Sequence, residues 1–196
     1  MNEIVFASHN QNKIEEIRAI LGPDFFVKGL TDINCTEEIP EPFATLEENA
    51  LAKARYVEIH FGFDCFADDT GLEVDALGGL PGVYSARYAG SGKKSLDNIA
   101  KLLNELKHHT NRNARFRTVI ALAMQRKHYF FEGVVNGIIA ESPRGVEGFG
   151  YDPVFIPEGY SKSFAEMPAS EKNKISHRKI AIDKLAGFLK QQSLPR

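Results

Sequence analysis

Apolar positions recur along the chain in two periods. Ile4-Val5-Phe6-Ala7 is a continuous apolar run; after Ser8-His9-Asn10, Ile14, Ile17, Ile20 and Leu21 follow at helical spacing until Gly22-Pro23 stops them. This pattern predicts a β-loop-α unit. Val27 to Ile33 fits either period, and Thr36 to Phe43 reads as a Glu- and Pro-containing loop. Thr45 then stands as a helix cap with Glu48 at the capping-box position, and Leu46, Ala50, Ala54 and Val57 form an apolar face. Cys65-Phe66-Ala67 predicts a second short buried strand that runs out into Asp68-Asp69-Thr70-Gly71, ahead of a Gly- and Pro-rich loop from Gly78 to Gly82. That reading puts a pair of carboxylates at a strand end. Ser95 to Leu106 is an amphipathic helix carrying Leu96, Ile99, Leu102, Leu103 and Leu106. Phe116–Met124 and Tyr129–Ala140 are β-rich and close enough in sequence to pair as antiparallel neighbours, with a further strand at Val154–Ile156. Ser176 precedes a final helix whose Ile180, Leu185, Phe188 and Leu189 would face the core. Helices interspersed with both parallel-type and hairpin-type strands indicate a mixed-sheet α/β fold with two lobes flanking a cleft. There is no internal repeat and no flexible linker.

Composition narrows the class. With 196 residues, 43% hydrophobic and 26% charged, the chain is expected to form one domain, 1–196, that buries roughly 70% of its unfolded surface without staples. Cys35 and Cys65, the two cysteines, lack Cys-x-x-Cys spacing and read as reduced thiols, which excludes a disulfide scaffold and zinc-finger chemistry. No apolar run approaches the ~18 residues of a membrane span, and the opening residues do not resemble a secretion signal, so a cytoplasmic location with no membrane partner is expected. A formal charge of −2, from 24 Lys+Arg against 26 Asp+Glu, gives no field to attract a nucleic-acid polymer. A small anion such as a nucleotide needs only a few converging basic groups.

Four constellations fall at element ends, where clefts form. Ser8-His9-Asn10-Gln11-Asn12-Lys13 lies where a strand hands over to a helix, so hydroxyl, amides, helix N–H groups and a lysine can converge on one anion; the competing reading is a polar connector capped by Asn12. Gly92-Lys93-Lys94 is not a phosphate loop of the Walker type, because Lys94 stands where Ser or Thr is required; it reads as a solvated turn. Asp68 and Asp69 are costly side by side after a buried strand unless a divalent cation or hydrogen bonds compensate them, or unless they point to opposite sides. Glu37, Glu38 and Glu41 occupy a loop that can bring another oxygen ligand or remain solvated. Gly148-Phe149-Gly150-Tyr151-Asp152-Pro153 suits stacking on a heterocycle and hydrogen bonding to its edge, or a tight turn with core aromatics. Glu171 to Arg178 supplies cations and a helix start, either an anion site or a capped charged helix.

Taken in order, Ser8-His9-Asn10 with Lys13, Glu47-Glu48-Asn49-Ala50, Ala67-Asp68-Asp69-Thr70-Gly71-Leu72, Leu77 to Tyr88, Gly148 to Pro153 and Ser176-His177-Arg178 resemble the signature series of the inosine/xanthosine triphosphate pyrophosphatases. The resemblance spans nearly the whole chain. It implies a long mixed sheet with flanking helices in two lobes, a homodimer, and Mg²⁺-dependent hydrolysis of ITP, dITP and XTP to the monophosphate and pyrophosphate. By motif position it implies that Ser8, His9, Asn10, Gln11, Asn12, Lys13 and Lys53 hold the triphosphate. Glu41 or a neighbouring glutamate would bind Mg²⁺ together with Asp69, Asp69 would activate water, and Thr70 would touch substrate. Phe149, Gly150, Tyr151, Asp152, Lys172, His177 and Arg178 would cradle base and sugar. Two rival readings are a pyrophosphatase for modified pyrimidine nucleotides and a nucleotide-binding regulatory module without turnover; the second would be expected to lack an acidic group, and both Glu41 and Asp69 are present.

Overall fold

A computed structural model describes residues 2–92 and 94–192, so Lys93 of the expected lysine turn lies outside the described residues. The elements in chain order are β1 (Asn2–Phe6), α1 (Gln11–Leu21), β2 (Phe25–Lys28), α2 (Leu46–Phe61), β3 (Cys65–Val74), β4 (Pro81–Gly82), α3 (Ser95–Glu105), β5 (Asn113–Met124), β6 (Lys127–Ile139), β7 (Phe155–Pro157), α4 (Ala169–Ile175) and α5 (His177–Gln192). Among the described residues they form a seven-stranded mixed sheet, ordered β2-β1-β3-β5-β6-β7 with β4 beside β3. β1 pairs in parallel with both β2 and β3, whereas β4 on β3 and β7 on β6 are antiparallel. This is the mixed α/β fold that the sequence pattern predicts.

Local chemistry sets the boundaries. The N-cap of α1 is Asn10, whose side chain accepts from Lys13 N at 3.3 Å, rather than Asn12; Asn10 has the extended backbone a cap requires, and Asn12 is already inside the helix. Thr45 caps α2 as expected, its hydroxyl accepting from Glu48 N at 3.2 Å, one half of a capping box, while the Glu48 carboxylate accepts from that same hydroxyl. The turn joining β5 to β6 holds both Gln125 (φ 52°) and Arg126 (φ 62°) in the left-handed region. Such a two-residue turn matches strand twist but strains side-chain-bearing residues. Asp64 and Glu58 compensate by accepting from the two turn N–H groups, each at 3.1 Å.

The chain divides into two compact units, one of residues 1–69, 118–133 and 178–196, the other of 70–117 and 134–177. In the first, alternation along the strands separates two cores. Ile4, Phe6 and Phe66 pack with Ile17 of α1 and Ile182 and Leu185 of α5, while Val5, Ala7, Cys65 and Ala67 pack with Ala54 and Val57 of α2. Phe6 and Phe66 stack with centroids 5.0 Å apart. Along α5 the core positions are Ala181, Ile182, Leu185 and Leu189, with Ile180 and Phe188 only half-buried, a small rotation from the expected face. In the second unit Leu72 and Val74 of β3, Ile99 and Leu102 of α3, and Phe116, Phe155 and Phe164 make the core. Cys35 and Cys65 are free thiols. Among the described residues no helix is long and apolar enough to cross a membrane.

Candidate active site

The acidic pair does not lie at a strand end. β3 continues through it to Val74, because pairing with β1, which reaches Val5↔Cys65 and Phe6↔Phe66, is succeeded by pairing with β4 at Leu72↔Gly82 and Glu73↔Pro81. Extended backbone therefore runs straight through Asp68 and Asp69, and strand alternation sends their side chains to opposite faces. Asp68 follows Phe66 towards α1 and α5; Asp69 follows Cys65 and Ala67 towards α2.

On the first face Asp68 Oδ1 accepts from Lys13 Nζ at 3.0 Å, and Asp68 Oδ2 accepts from Arg178 Nε at 3.3 Å. Arg178 also donates to Glu16 of α1. Burial alone would raise the Asp68 pKa, yet Lys13, Arg178 and Lys53 outweigh it and hold the carboxyl far below the usual carboxylate range. Asp68 is a permanent anion locked to two cations.

On the second face, Lys53 of α2 is buried and donates to Glu41 and, at 2.7 Å, to the backbone carbonyl of Asp68. Burial should favour a neutral lysine; the carboxylates of Asp69, Glu41 and Asp68 reverse this and keep the ammonium charged. Glu41 is likewise pulled down, because Lys53 outweighs its desolvation. Asp69 goes the other way. Burial, reinforced by Glu41 and only partly opposed by Lys53, pushes it up to about 6. Its Oδ2 atom is buried and accepts no hydrogen bond, although the carboxylate interacts electrostatically with Lys53 and Glu41. Two adjacent aspartates thus have opposite acid–base character.

The Ser8–Lys13 segment is the β1–α1 loop. Ser8 Oγ accepts from Asn10 N at 3.1 Å, Gln11 and Asn12 are exposed, and by helix geometry the first N–H groups of α1 are left to acceptors outside the helix. His9 makes a 2.9 Å hydrogen bond through Nε2 with the Glu37 carbonyl. Its ring is therefore engaged with the acidic loop, where the sequence reading expects a phosphate.

In the second unit Asp152 Oδ2 accepts from Phe149 N at 2.8 Å and from Lys172 Nζ at 2.6 Å. The Lys172 ammonium lies 5.0 Å from the Phe149 ring centroid and 5.6 Å from that of Phe164, so cation, aromatic faces and carboxylate form one group. Gly148 makes this turn possible. It sits at φ +75°, and a Cβ there would come within 2.1 Å of Asp152 Oδ2. Gly150 (φ +65°) completes the turn, and Thr70 is the half-buried first residue of this unit.

Three residues expected at base and sugar are buried against protein partners. Tyr151 donates its hydroxyl to the Ser85 carbonyl at 2.9 Å with its ring in the core. His177 stacks on Phe116 with centroids 4.7 Å apart. Arg178 is 2% exposed, its guanidinium committed to Asp68 and Glu16, because a buried fork of donors demands carboxylate acceptors. The sequence reading missed Glu16, which occupies a helical position next to the expected polar face and carries no motif signal. Asn49, which the signature series includes without a role, accepts from Phe43 N and donates to Phe43 O through its side chain, tying the acidic loop to α2.

Among the described residues no group of three or more His, Cys, Asp and Glu side chains forms a ready-made metal cage. Mg²⁺ is commonly held by one or two carboxylates while keeping waters and substrate phosphates as its other ligands. The donor set fits: Glu41 and Asp69 lie on one face, Asp69 Oδ2 is a buried oxygen with no donor, and the cluster's four carboxylates (Glu16, Glu41, Asp68, Asp69) exceed its three cations (Lys13, Lys53, Arg178).

Residues 4–188 match the Ham1 family. A dITP/XTP pyrophosphatase of Flavobacterium johnsoniae is 52% identical over 187 residues, covering 95% of this chain and 97% of that protein. The dITP/XTP pyrophosphatase of Bacillus subtilis is 48% identical over 193 residues, covering 96% and 98%. Among solved structures, the Staphylococcus aureus Ham1 protein superposes with a TM-score of 0.90 at 41% identity, covering 98% of this chain and all of that one. Family match, sequence identity and shared fold agree over almost the whole length, and the chain belongs to the Ham1 family.

Proposed function

We propose that this protein hydrolyses noncanonical purine nucleoside triphosphates (ITP, dITP and XTP) to the monophosphate and pyrophosphate. The dITP/XTP pyrophosphatases it resembles at 48–52% identity support the substrate class. The observation that carries the chemistry is the split of the aspartate pair across β3: Lys13 and Arg178 hold Asp68 as a structural anion on one face, and Asp69 stands on the other face near Lys53 and Glu41, where burial raises its affinity for a proton.

Each cluster has its own task. Lys13, the Ser8–Asn12 loop and Lys53 offer positive charge and N–H donors to the triphosphate, which would draw the lysines away from Asp68 and Glu41. Asp69 takes the proton of the attacking water. Glu41 and Asp69 would hold Mg²⁺, which when bound neutralises charge on the phosphates and lowers the pKa of water. Phe149 and Lys172 present an aromatic face and a donor to the base, with Asp152 fixing both. An inosine or xanthosine 6-oxo group accepts a hydrogen bond where the adenosine 6-amino group donates one, so donors here favour the former.

Incubating the protein with a panel of nucleoside triphosphates and Mg²⁺, with pyrophosphate and orthophosphate measured separately, tests this reading. The expected result is pyrophosphate from ITP, dITP and XTP, abolished by EDTA. Orthophosphate as first product contradicts the reaction; preference for modified pyrimidines contradicts the substrate class; nucleotide binding without product identifies a regulatory module.

A further inference from the structure

His9, Glu37 and Tyr56 come from three separate segments and meet on the surface of the first unit. His9 of the β1–α1 loop hydrogen bonds through Nε2 with the Glu37 carbonyl at 2.9 Å, and Tyr56 of α2 donates its hydroxyl to the Glu37 carboxylate. The Tyr56 ring lies 4.4 Å from the His60 ring, centroid to centroid, which fixes it on the helix surface. Glu37 opens the irregular stretch that contains Glu41, and that stretch is tied at its other end by the paired hydrogen bonds of Phe43 with Asn49. Between the two ties stands Glu41, on Lys53.

From this we propose that Tyr56 and Glu37 form a clasp that positions Glu41 for the divalent cation, and that His9 couples the phosphate-binding loop to the same clasp. Tyr56 and Glu37 are positioning residues: neither touches substrate or metal. The proposal rests on the pyrophosphatase reading for the identity of the cation, and it explains why Glu37 is not the carboxylate used, since it is already engaged with Tyr56. The Tyr56–Glu37 contact and the Phe43–Asn49 pair are two ties on one loop. Losing one lowers the fraction of loop that is competent, and the apparent cation affinity falls in proportion.

The test is Tyr56→Phe, which removes one hydroxyl and leaves the ring, alongside Glu37→Gln, which keeps an acceptor for that hydroxyl. Mn²⁺ binding is followed by electron paramagnetic resonance without nucleotide, and amide exchange is read across residues 36–43. Tyr56→Phe is expected to weaken Mn²⁺ binding three- to tenfold and speed exchange in that stretch, with kcat at saturating Mg²⁺ within twofold and KM for ITP raised less than the Mg²⁺ requirement. Glu37→Gln should fall between Tyr56→Phe and wild type. Unchanged Mn²⁺ affinity in Tyr56→Phe, or weakened affinity with unchanged exchange, overturns the clasp. If the wild type releases no pyrophosphate from ITP, the enzymatic reading fails, while the Mn²⁺ and exchange measurements still decide the clasp.

Discussion

The two charged groups of this protein are built on different plans. In the first unit, Lys13, Lys53 and Arg178 are interleaved with Asp68, Glu41 and Glu16, and Asp69 is left with its pKa raised. In the second, a single buried pair, Asp152 with Lys172, is set against Phe149 and Phe164 in a turn that admits only glycine at position 148. The first group pairs most of its charge internally, so the proposed uptake of phosphate would exchange those ion pairs. In the second, the Lys172 ammonium and the Phe149 N–H are both held by the Asp152 carboxylate. Charge exchange suits chemistry on an anhydride, and a fixed donor array suits discrimination between bases.

The comparison can be broken by substitution, beginning with the most damaging. Asp68→Asn strips the anion that Lys13 and Arg178 share and leaves a buried guanidinium with one carboxylate fewer. We expect a loss of about 3–5 kcal/mol in urea unfolding at pH 7. The sign follows from linkage: a depressed carboxyl contributes stability that is present above its ordinary range and lost as pH falls through its folded value, so the difference should shrink in acid. A cost below ~1 kcal/mol would show that the pair is not locked.

Gly148→Ala tests the rigidity of the second group. A side chain at φ +75° that collides with Asp152 should cost about 2 kcal/mol or more, and it should raise KM for ITP more than it lowers kcat. Unchanged stability would mean that the turn adapts.

Asp69→Asn should stabilise the metal-free protein. Its raised carboxyl binds a proton more tightly folded than unfolded, so stability declines as pH rises from about 4 to about 6. Removing that charge should add about 1–3 kcal/mol at pH 7.5, vanishing below pH ~4. Adjacent residues would then respond to the same substitution with opposite signs, which two chelator-treated unfolding series can check.

Lys172→Met is expected to narrow the ITP/ATP ratio of kcat/KM by about tenfold, the worth of one buried donor. If Lys172→Met leaves the ratio intact and Arg178→Lys narrows it, Arg178 leaves its carboxylates to read the base.

Much of this was legible in the sequence, and the reasons differ by feature. Helices and strands were readable because apolar periodicity reports burial directly, as at Ile14, Ile17 and Leu21 or along Phe116–Met124. The opposite orientation of Asp68 and Asp69 was readable as one alternative, since any extended segment alternates. Chemical inequality of the pair was not, because it depends on which cations arrive on each face: Lys13 and Arg178 are 55 and 110 residues from Asp68. The extent of β3 was missed for a similar reason. Asp and Gly are poor strand formers, and it is pairing with distant segments, β5 on one side and β1 then β4 on the other, that makes this stretch part of a long strand. The contacts of Tyr151 with Ser85 and of His177 with Phe116 were not legible, because nothing local signals partners so far away in sequence.

The central claim is that Asp69 does the chemistry while its neighbour holds the fold. Its most direct test is Asp69→Asn, with pyrophosphate release from ITP measured at saturating Mg²⁺ and ITP affinity measured by calorimetry on the same preparation. The account predicts a fall in kcat of at least ~10²–10⁴-fold, the usual contribution of a general base, with affinity changed only a few-fold because Lys13, Lys53 and Lys172 are intact. Near-normal turnover, or a loss of binding that matches the loss of turnover, would contradict it.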